Sequence, residues 1–408
     1  MASYSKLPSK KYKQGYVWKC VLEGPPHPVT GERKQIPRRG KTKTEALGRC
    51  QEEYNKLAQG IDTKVVKATA FKDASKKFLV TYSKSGFTKS TVRKTTSYIN
   101  IINKFIGNHN VDRHTNDTYQ EFINKLDEMK DKHGKKRYAR GTLININSAA
   151  NMVFEWCIKM KLRTDNPCYK VTIPKKPKTV EEIKRDAILE KYLERDEIEE
   201  FLQKAKTHGI DNDYKIFKTM LFGGMRPGEM CALEWPDVNN ETYMCDIHKT
   251  IYHPTNNRYV WELTPPKNDT SVRIFDFDEI IIRMLEELKE EQKKIHERYK
   301  EYHDDFHEGQ FILSNADGRP FTTIKLLNRM HRIVKMTSIK KDATPHIWRH
   351  THISMLTEAG VPLPVIMQRV GHKDAKTTME IYTHVTNRMK ANVNQSIKTH
   401  FGKILKDV

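Results

Sequence analysis

The sequence lacks the hydrophobic segments that membrane insertion or secretion requires. No run of 18 consecutive apolar residues occurs among its 408 residues, so no transmembrane helix is predicted. Residues 1–13 have no apolar core after their charges, which argues against a secretory signal. We therefore expect a cytoplasmic protein that is not embedded in a membrane.

Cysteine is scarce and scattered along the chain. The six thiols form no Cys-x-x-Cys pair and match no zinc-site spacing: Cys20, Cys50, Cys157, Cys168, Cys231 and Cys245. In a long chain without a secretory signal, this pattern predicts reduced thiols that pack as small hydrophobic side chains. A P-loop and a paired-carboxylate metal motif are also missing from the sequence.

Positive charge, by contrast, is abundant and unevenly placed. The chain holds 73 Lys and Arg against 51 Asp and Glu, a net charge of +22. Such a surplus favours a polyanionic partner, either nucleic acid or an acidic membrane surface. Residues 1–180 hold 38 basic and 15 acidic residues, whereas residues 181–408 hold 35 and 36. This asymmetry predicts a basic gripping region joined to a region with a different task.

Hydrophobic periodicity predicts a multidomain α+β protein. Alternating polarity in residues 15–40, followed by helical spacing at 45–57, predicts a small three-stranded sheet backed by one helix. Residues 71–169 have helical spacing throughout, with a helix start predicted at Thr88, and the remainder mixes helices with short strands. The predicted divisions are a sheet domain at 1–65, a helical domain at 66–172, a proline-punctuated basic linker at 173–190, a mainly helical domain with a small antiparallel sheet at 191–386, and a tail helix at 387–408.

Four short segments concentrate cationic and titratable side chains, and the first two centre on Arg226 and Arg349. Arg226 precedes Pro227, which suits the first position of a helix, so an anion is favoured beside it. Glu229 is spaced to hold the guanidinium, although a surface Arg–Glu pair has the same spacing. In the second segment, His346 and Arg349 share one helical face and suit a phosphate site. The same segment contains a second histidine four residues after the first, so a metal cluster is an alternative.

The other two segments are each ambiguous when taken alone. Residues 368–373 contain Gly371-His372, and Tyr382 follows ten residues after this histidine. Lys267 lies in the turn of a predicted hairpin whose strands are residues 259–263 and 272–277. A packed or solvated side chain would explain either segment equally well.

The order of the four segments resembles that of the tyrosine recombinase family. Arg226-x-Gly-Glu229, the hairpin Lys267, His346-x-x-Arg349, Gly371-His372 and Tyr382 stand in the family's order and spacing across residues 194–390. Residues 142–168 resemble the end of the family's helical core-site-binding domain. Residues 15–57 resemble the arm-site-binding sheet domain of integrases from phages and conjugative transposons. The resemblance implies a site-specific DNA integrase that works through a 3′-phosphotyrosine intermediate and needs neither a metal nor a cofactor. The missing P-loop and metal motif agree with this.

The resemblance also implies a catalytic set, whose members have suitable chemistry. The set is Arg226, Lys267, His346, Arg349, His372 and Tyr382. The arginines can clamp phosphate oxygens bidentately, and the first histidine can accept the proton of the tyrosine nucleophile. The lysine resembles the general acid for the leaving 5′-oxygen, and the second histidine fits a further donor to the phosphate. Lys249 and Arg273 are alternatives for the acid. His350 and His352 are expected to be structural.

The basic segments are expected to contact DNA phosphates, which position a protein without specifying sequence. The predicted arm-site contacts are Arg38, Arg39, Lys41 and Lys43, and the predicted core-site contacts are Lys89, Arg93, Lys135, Lys136, Arg137 and Arg140. The resemblance implies double-stranded DNA with core and arm sites as the partner and a homotetramer on that DNA. An excision accessory factor and a host DNA-bending protein are further candidate partners. The tail is expected to dock on a neighbouring protomer, with packing in cis as the alternative.

Two other functions fit parts of this pattern. A type IB topoisomerase shares the covalent tyrosine chemistry but relaxes DNA without exchanging partners. A DNA-binding regulator would keep the basic surface while its pocket is vestigial. The arm-like amino-terminal region argues against the topoisomerase, and the intact catalytic set argues against the regulator.

Overall fold

A computed structural model of the chain describes residues 2–26, 31–60, 68–177, 179, 189–255, 257–266, 268–372 and 376–391. The chain divides into two compact units, Met1–Pro177 and Lys178–Val408. Helices and short antiparallel strands occur in both units, which confirms the predicted α+β class. The finer division at residues 65, 172, 190 and 386 stays a prediction. None of the described helices is long and apolar enough to cross a membrane.

The first unit begins with a three-stranded antiparallel sheet, as the sequence predicted. The strands pair in chain order: β1 (Ser3–Pro8), β2 (Tyr16–Pro26) and β3 (Arg33–Gly40). Helix α1 (Lys43–Ala58) begins after Thr42, whose hydroxyl accepts a hydrogen bond from the backbone N–H of Glu45. One face of the sheet packs against this helix around the buried residues Cys20, Ile36, Ala46 and Cys50. Both thiols are therefore core side chains.

Four α-helices follow among the described residues of the first unit. They are α2 (Phe71–Ser83), α3 (Lys89–Ile106), α4 (Asn116–Glu128) and α5 (Arg140–Lys159). Apolar positions at helical spacing, such as Ile99, Ile146 and Phe154, meet in one core that all four helices share. The start predicted at residue 88 is confirmed, because the Thr88 hydroxyl caps α3.

The second unit contains eight described helices. They are α6 (Arg195–His208), α7 (Asp213–Gly223), α8 (Pro227–Ala232), α9 (Glu279–Lys300), α10 (Thr323–Val334), α11 (Ile347–Glu358), α12 (Leu363–Val370) and α13 (Lys376–Ala391). A large hydrophobic core surrounds Trp348, which contacts Phe201 and Phe217. A smaller cluster joins α11, α12 and α13 through buried aliphatic side chains. Helix α13 continues past residue 386 to Ala391, and the rest of the predicted tail lies outside the described residues.

Four short strands in the second unit correct the predicted hairpin. They are β4 (Met244–Ile247), β5 (Thr250–Tyr252), β6 (Glu262–Thr264) and β7 (Arg273–Asp276). Strand β6 pairs with β5, and β7 pairs with β4, so the prediction that residues 259–263 and 272–277 form one hairpin is wrong. Pro265 and Pro266 follow β6 directly, and proline cannot donate to a strand ladder. The connection therefore leaves one small sheet and enters the other.

Candidate active site

Arg226 is positioned by the break between α7 and α8. Helix α7 ends at Gly223, and its C-cap Gly224 has a positive φ of 57°, where a Cβ would collide with the ring of His352. Helix α8 then begins at Pro227, with Arg226 as its N-cap. Glu229 accepts hydrogen bonds from the backbone N–H of Arg226 at 2.9 Å and from its Nη1 at 2.6 Å. The predicted helix start and the predicted hold of Glu229 on the guanidinium are both confirmed.

Glu229 is a buried carboxylate between two arginines. Its side chain is 2% exposed, and its Oε2 also accepts a hydrogen bond from Nη2 of Arg273 at 2.9 Å. Burial raises the pKa of Glu229, but the guanidiniums of Arg273 and Arg226 outweigh that effect and hold the pKa below its ordinary value. Glu229 is therefore an anion that fixes the orientation of Arg226.

Arg273 has a different place from the one that the sequence suggested. Its Nε donates to the carbonyl of Arg369 at 2.8 Å and its Nη1 to the carbonyl of Ser271 at 2.9 Å, in addition to the ion pair with Glu229. A buried guanidinium with three fixed partners is unsuited to give up a proton, which argues against Arg273 as the acid. The inward-facing position of this residue on β7 was the signal available in the sequence.

Arg349 lies on α11 with its side chain fully buried, at 0% exposed. Its Nη1 donates to the carbonyl of Gly224 at 2.9 Å, and its Nη2 donates to the carbonyl of Val370. Burial lowers the pKa of Arg349 well below its ordinary value, and repulsion from Arg226 acts in the same direction. Arg226 Nη2 donates to the carbonyl of Gly371 at 2.9 Å. The two arginines therefore converge on the turn that follows α12.

Two histidines lie beside these arginines. Burial, followed by the charges of Arg349 and Arg226, lowers the pKa of His346 to about 4. The same causes lower the pKa of His372 to about 3. Nε2 of His372 accepts a hydrogen bond from Nε of Arg349 at 3.1 Å, so the ring proton is on Nδ1, which faces the hydroxyl of Thr378. Both imidazoles are neutral at pH 7 in the DNA-free protein.

The two neighbouring histidines lie beside this cluster. The ring of His350 packs edge-on against that of His346, with centroids 4.7 Å apart. His352 is buried beneath Gly224, and its Nε2 accepts a hydrogen bond from Nε of Arg369 at 3.2 Å. Within the described ranges of the chain, no three His, Cys, Asp or Glu side chains are grouped as a metal site would require.

Tyr382 lies on α13, whose first turn reaches the cluster. Helix α13 packs on α11 and α12, and the ring of Tyr382 is half-buried against the small core between them. Thr378, one turn earlier, contacts His372. The structure therefore brings Arg226, His346, Arg349 and His372 together and places the predicted nucleophile on the adjacent helix.

The predicted acid is the one member of the set that the structure leaves undescribed. Lys267 lies outside the described residues. Its alternative Lys249 is held by Glu234 at 2.5 Å and by Asp237 at 2.8 Å. Burial lowers the pKa of Lys249, but hydrogen bonds to Asp237 and Glu234 outweigh that effect and raise it. These partners make Lys249 a poor proton donor.

The predicted arm-site contacts divide between two sides of the amino-terminal sheet. Arg38 pairs with Glu53 of α1 at 2.5 Å, so it faces the helix. Lys43 also lies on this side, with its ammonium 4.7 Å from the ring of Trp18. Arg39 is exposed on the opposite face, next to Lys19 of the neighbouring strand. The face away from the helix therefore presents Arg39 beside Lys19.

The predicted core-site contacts are exposed positions near the ends of helices α3 and α5. They are Lys89, Arg93, Lys135, Lys136, Arg137 and Arg140. Lys136 forms an ion pair with Asp127 at 2.6 Å, and the guanidinium of Arg137 lies 5.7 Å from the ring of Tyr138. Helices α3 and α5 pack against each other, so their amino-terminal cations belong to one folded body. Their contact with DNA stays a prediction.

Comparison with known proteins gives the family. Residues 191–389 match the phage integrase family. The chain is 29% identical to the probable integrase of prophage ps2 from Lactococcus lactis strain IL1403, over 95% of this chain and 97% of that protein. The Tn1549 transposon integrase, solved in complex with a circular intermediate DNA, shares the fold with a TM-score of 0.60 at 17% identity, over 77% of this chain and 95% of that one. A lambda integrase tetramer bound to a Holliday junction gives a TM-score of 0.55 at 15% identity, over 89% and 91%. The chain therefore carries a domain of the phage integrase family at residues 191–389 and resembles tyrosine recombinases in sequence and fold.

Proposed function

We propose that this tyrosine recombinase is the site-specific integrase of a mobile genetic element and that Tyr382 is its nucleophile. One observation carries the proposal. Arg226 and Arg349 donate to backbone carbonyls at the end of α12, beside the neutral rings of His346 and His372, and α13, the helix of Tyr382, comes next in the chain. Such a cluster suits one anionic phosphate group beside one phenol.

The proposed reaction exchanges one phosphate ester for another. Tyr382 Oη attacks the phosphorus, the bond from phosphorus to the 5′-oxygen breaks, and a 3′-phosphotyrosine and a free 5′-hydroxyl result. His346 takes the phenolic proton, and Lys267 protonates the departing 5′-oxygen. The phosphotyrosine retains the ester bond, so the reverse reaction with the 5′-hydroxyl of another strand completes the exchange without ATP.

The charge of the cluster suits this transition state. Negative charge grows on the non-bridging oxygens as the phosphorus becomes five-coordinate, and fixed N–H donors stabilise it without reorganising. Arg226 is held by Glu229 and Arg349 by backbone carbonyls, so both guanidiniums are preorganised. The neutral ring of His346 has a free lone pair for the tyrosine proton, and an anionic phosphate beside it would raise its pKa.

The basic first unit is proposed to hold the double-stranded DNA. Arg39 and its neighbours on the open face of the amino-terminal sheet would contact an arm site, and the exposed cations of α3 and α5 would contact the core site. We propose that the recombinase acts in the cytoplasm as a homotetramer on two sites. The tail at 387–408 would dock on a neighbouring protomer. An excision factor and a host DNA-bending protein would determine whether the element is integrated or excised.

A non-catalytic regulator is a weaker explanation of the same residues. Burying Arg349 costs free energy that only fixed partners offset, so a vestigial pocket would be expected to lose it. A type IB topoisomerase would use the same cluster. The amino-terminal sheet with its basic open face favours the integrase, because relaxation of DNA needs no second binding site.

The test is a nicked suicide duplex that carries the element's own core site. The unsubstituted protein should form a covalent DNA adduct that survives denaturing electrophoresis. The short fragment that carries the free 5′-hydroxyl diffuses away, which prevents religation. Tyr382→Phe should form none. Tyr302→Phe, at a position 75% exposed on the surface, should react like the parent. No adduct with the parent, or an unchanged adduct with Tyr382→Phe, would contradict the proposal.

A further inference from the structure

The segment Lys191–Glu194, here called the entry segment, contacts the helix of Tyr382 in the second unit. Nζ of Lys191 lies 2.6 Å from Oε2 of Glu380. Oη of Tyr192 lies 3.2 Å from Nδ1 of His384. Both partners are on α13, one on each side of Tyr382 in sequence. The entry segment therefore contacts α13 at the level of the tyrosine.

A third contact extends this interface along α13. Nη1 of Arg388 donates to Oη of Tyr192 at 3.2 Å and lies 2.8 Å from Oε1 of Glu194. Since an arginine can only donate, the Tyr192 hydroxyl accepts from Arg388 and can donate to Nδ1 of His384. Tyr192 is 1% exposed, so its hydroxyl joins two residues of α13 out of contact with bulk water.

The three partners on α13 form one stripe. Residues 380, 384 and 388 are four apart, so they lie along one side of the helix over a length of about 12 Å. Tyr382 is two residues from the first two, and 100° per residue places it about 160–200° around the helix from them. The buried Ile381 and Val385 lie between these two sides. A rotation of α13 would therefore break the stripe and move Tyr382 at the same time.

The entry segment is also fixed to the helix that carries the catalytic arginine. The backbone N–H of Leu193 donates to the hydroxyl of Thr351 at 3.0 Å, and Thr351 lies two residues beyond Arg349 on α11. Lys341 donates to the carbonyl of Tyr192 at 2.8 Å. The segment is thus a bridge of defined length between α11, which carries Arg349, and α13, which carries Tyr382.

We infer that the entry segment is a positioning element: Lys191, Tyr192 and Glu194 set the rotation and height of α13 and so the approach of Tyr382 to the scissile phosphate. The inference rests on the proposed function. None of these side chains touches the reacting atoms in this scheme. They act through Glu380, His384 and Arg388, and their loss should slow cleavage while DNA binding is retained.

A charge swap tests the contact with partly exposed side chains. Lys191→Glu and Glu380→Lys each place like charges face to face, and the double variant restores an ion pair of opposite polarity. With protein in excess over the suicide duplex, each single variant should form adduct about 10-fold more slowly or worse, since small misplacements of a reacting group are costly. The double variant should recover to within about 3-fold of the parent rate. Binding constants for the same duplex should change by less than about 3-fold, since the cations of the first unit are intact.

Two further variants separate positioning from a general loss of structure. Tyr192→Phe keeps the buried ring but removes the hydroxyl, and it should slow adduct formation about 5-fold or more with little change in DNA affinity. Arg195→Glu is the matched control, because it reverses a neighbouring charge that pairs with Glu358 of α11 and is 80% exposed. It should react like the parent.

The outcomes distinguish this inference from the proposed function. Parental rates in Lys191→Glu and Tyr192→Phe would overturn the inference and leave the proposed function intact, as would a double swap that is no faster than either single variant. A single variant whose DNA affinity falls by the same factor as its rate of adduct formation would also overturn the inference. No adduct from the parent protein would overturn the proposed function and, with it, the inference.

Discussion

The two units place their positive charge in opposite ways. In the first unit the predicted DNA contacts, such as Arg39 and Arg140, are exposed at a sheet face and at a helix end. In the second unit Arg349 is fully buried and Arg273 nearly so, and each donates to backbone carbonyls. The first unit holds almost all of the chain's net charge, and the second is close to neutral.

This difference corresponds to two physical tasks. Exposed cations attract a polyanion at long range and can contact different phosphates along a duplex. Salt screens their attraction. A transition state requires donors that are already fixed where charge will develop, and fixing them requires burial and partners such as Glu229. Net charge therefore points to the first unit as the one proposed to hold DNA, but it gives no sign of the proposed catalytic site in the second unit.

The largest expected contrast is between one cation of each unit. Arg349→Lys should lower the rate of adduct formation about 1000-fold, because lysine cannot reproduce the fork that contacts both the fold and the phosphate. Arg140→Ala should leave that rate unchanged at saturating protein and weaken binding a few-fold. Rates and affinities are measured separately on one suicide duplex, with circular dichroism to check folding. Equal losses of rate in both variants would remove the distinction between the units.

The next contrast concerns a buried cation that does not reach the phosphate. Arg273→Met leaves Glu229 with Arg226 alone, so we expect a loss of about 3 kcal/mol in the free energy of unfolding and about 10–100-fold slower cleavage. Arg283→Ala removes only an exposed ion pair with Glu279 and should change stability by less than about 1 kcal/mol.

A 5′-bridging phosphorothiolate should rescue Lys267→Ala but not Arg273→Met. Rescue of the latter would make Arg273 an acid after all.

Acid should destabilise the second unit more than the first. Burial lowers the pKa of His352 to about 3, whereas an unfolded histidine titrates near 6.5. Between these values the unfolded chain binds more protons, so stability falls as the pH falls from 6.5 toward 3. His346, His350 and His372 act in the same direction in this unit.

Among the described residues of the first unit, one histidine, His114, has its pKa lowered by burial to about 4. Urea unfolding followed by pulse proteolysis at pH 7 and pH 5 resolves the two units. We expect the second to lose on the order of 2 kcal/mol or more, and the first distinctly less. An equal loss in the free energy of unfolding of the first unit would contradict the assignment of the buried neutral imidazoles to the second unit.

The smallest effect is expected within the first unit itself. Lys136 already pairs with Asp127, so its removal should lower core-site affinity less than the removal of Arg140 does. If Arg140 neutralises one phosphate, Arg140→Ala should reduce the slope of log affinity against log salt by about 0.9. Lys136→Ala should reduce it by less. Identical slopes in both variants and the parent would show that neither residue contacts DNA.

Local signals made much of this architecture predictable. Arg226-Pro227 marks a helix start because proline suits the first helical turn, and Glu229 three residues later follows from the same geometry. Helix α3 was expected at Thr88 because a threonine hydroxyl caps free N–H groups. These features depend on residues within one helical turn of each other.

Features that depend on distant partners were not predictable in this way. The pairing of β6 with β5 and of β7 with β4 was missed, because alternating polarity identifies a strand but not its neighbour. The ion pair between Arg273 and Glu229 joins residues 44 apart, and that between Lys191 and Glu380 joins residues 189 apart. Only tertiary structure brings such pairs together.

The most direct test of the account is to locate the protein–DNA bond itself. The adduct from the suicide duplex is digested with trypsin and nuclease, and the modified peptide is sequenced by mass spectrometry. We predict a nucleotide linked through its 3′-phosphate to the phenolic oxygen of Tyr382, with a free 5′-hydroxyl on the released strand. A bond at another residue, or a linkage through a 5′-phosphate, would contradict the account.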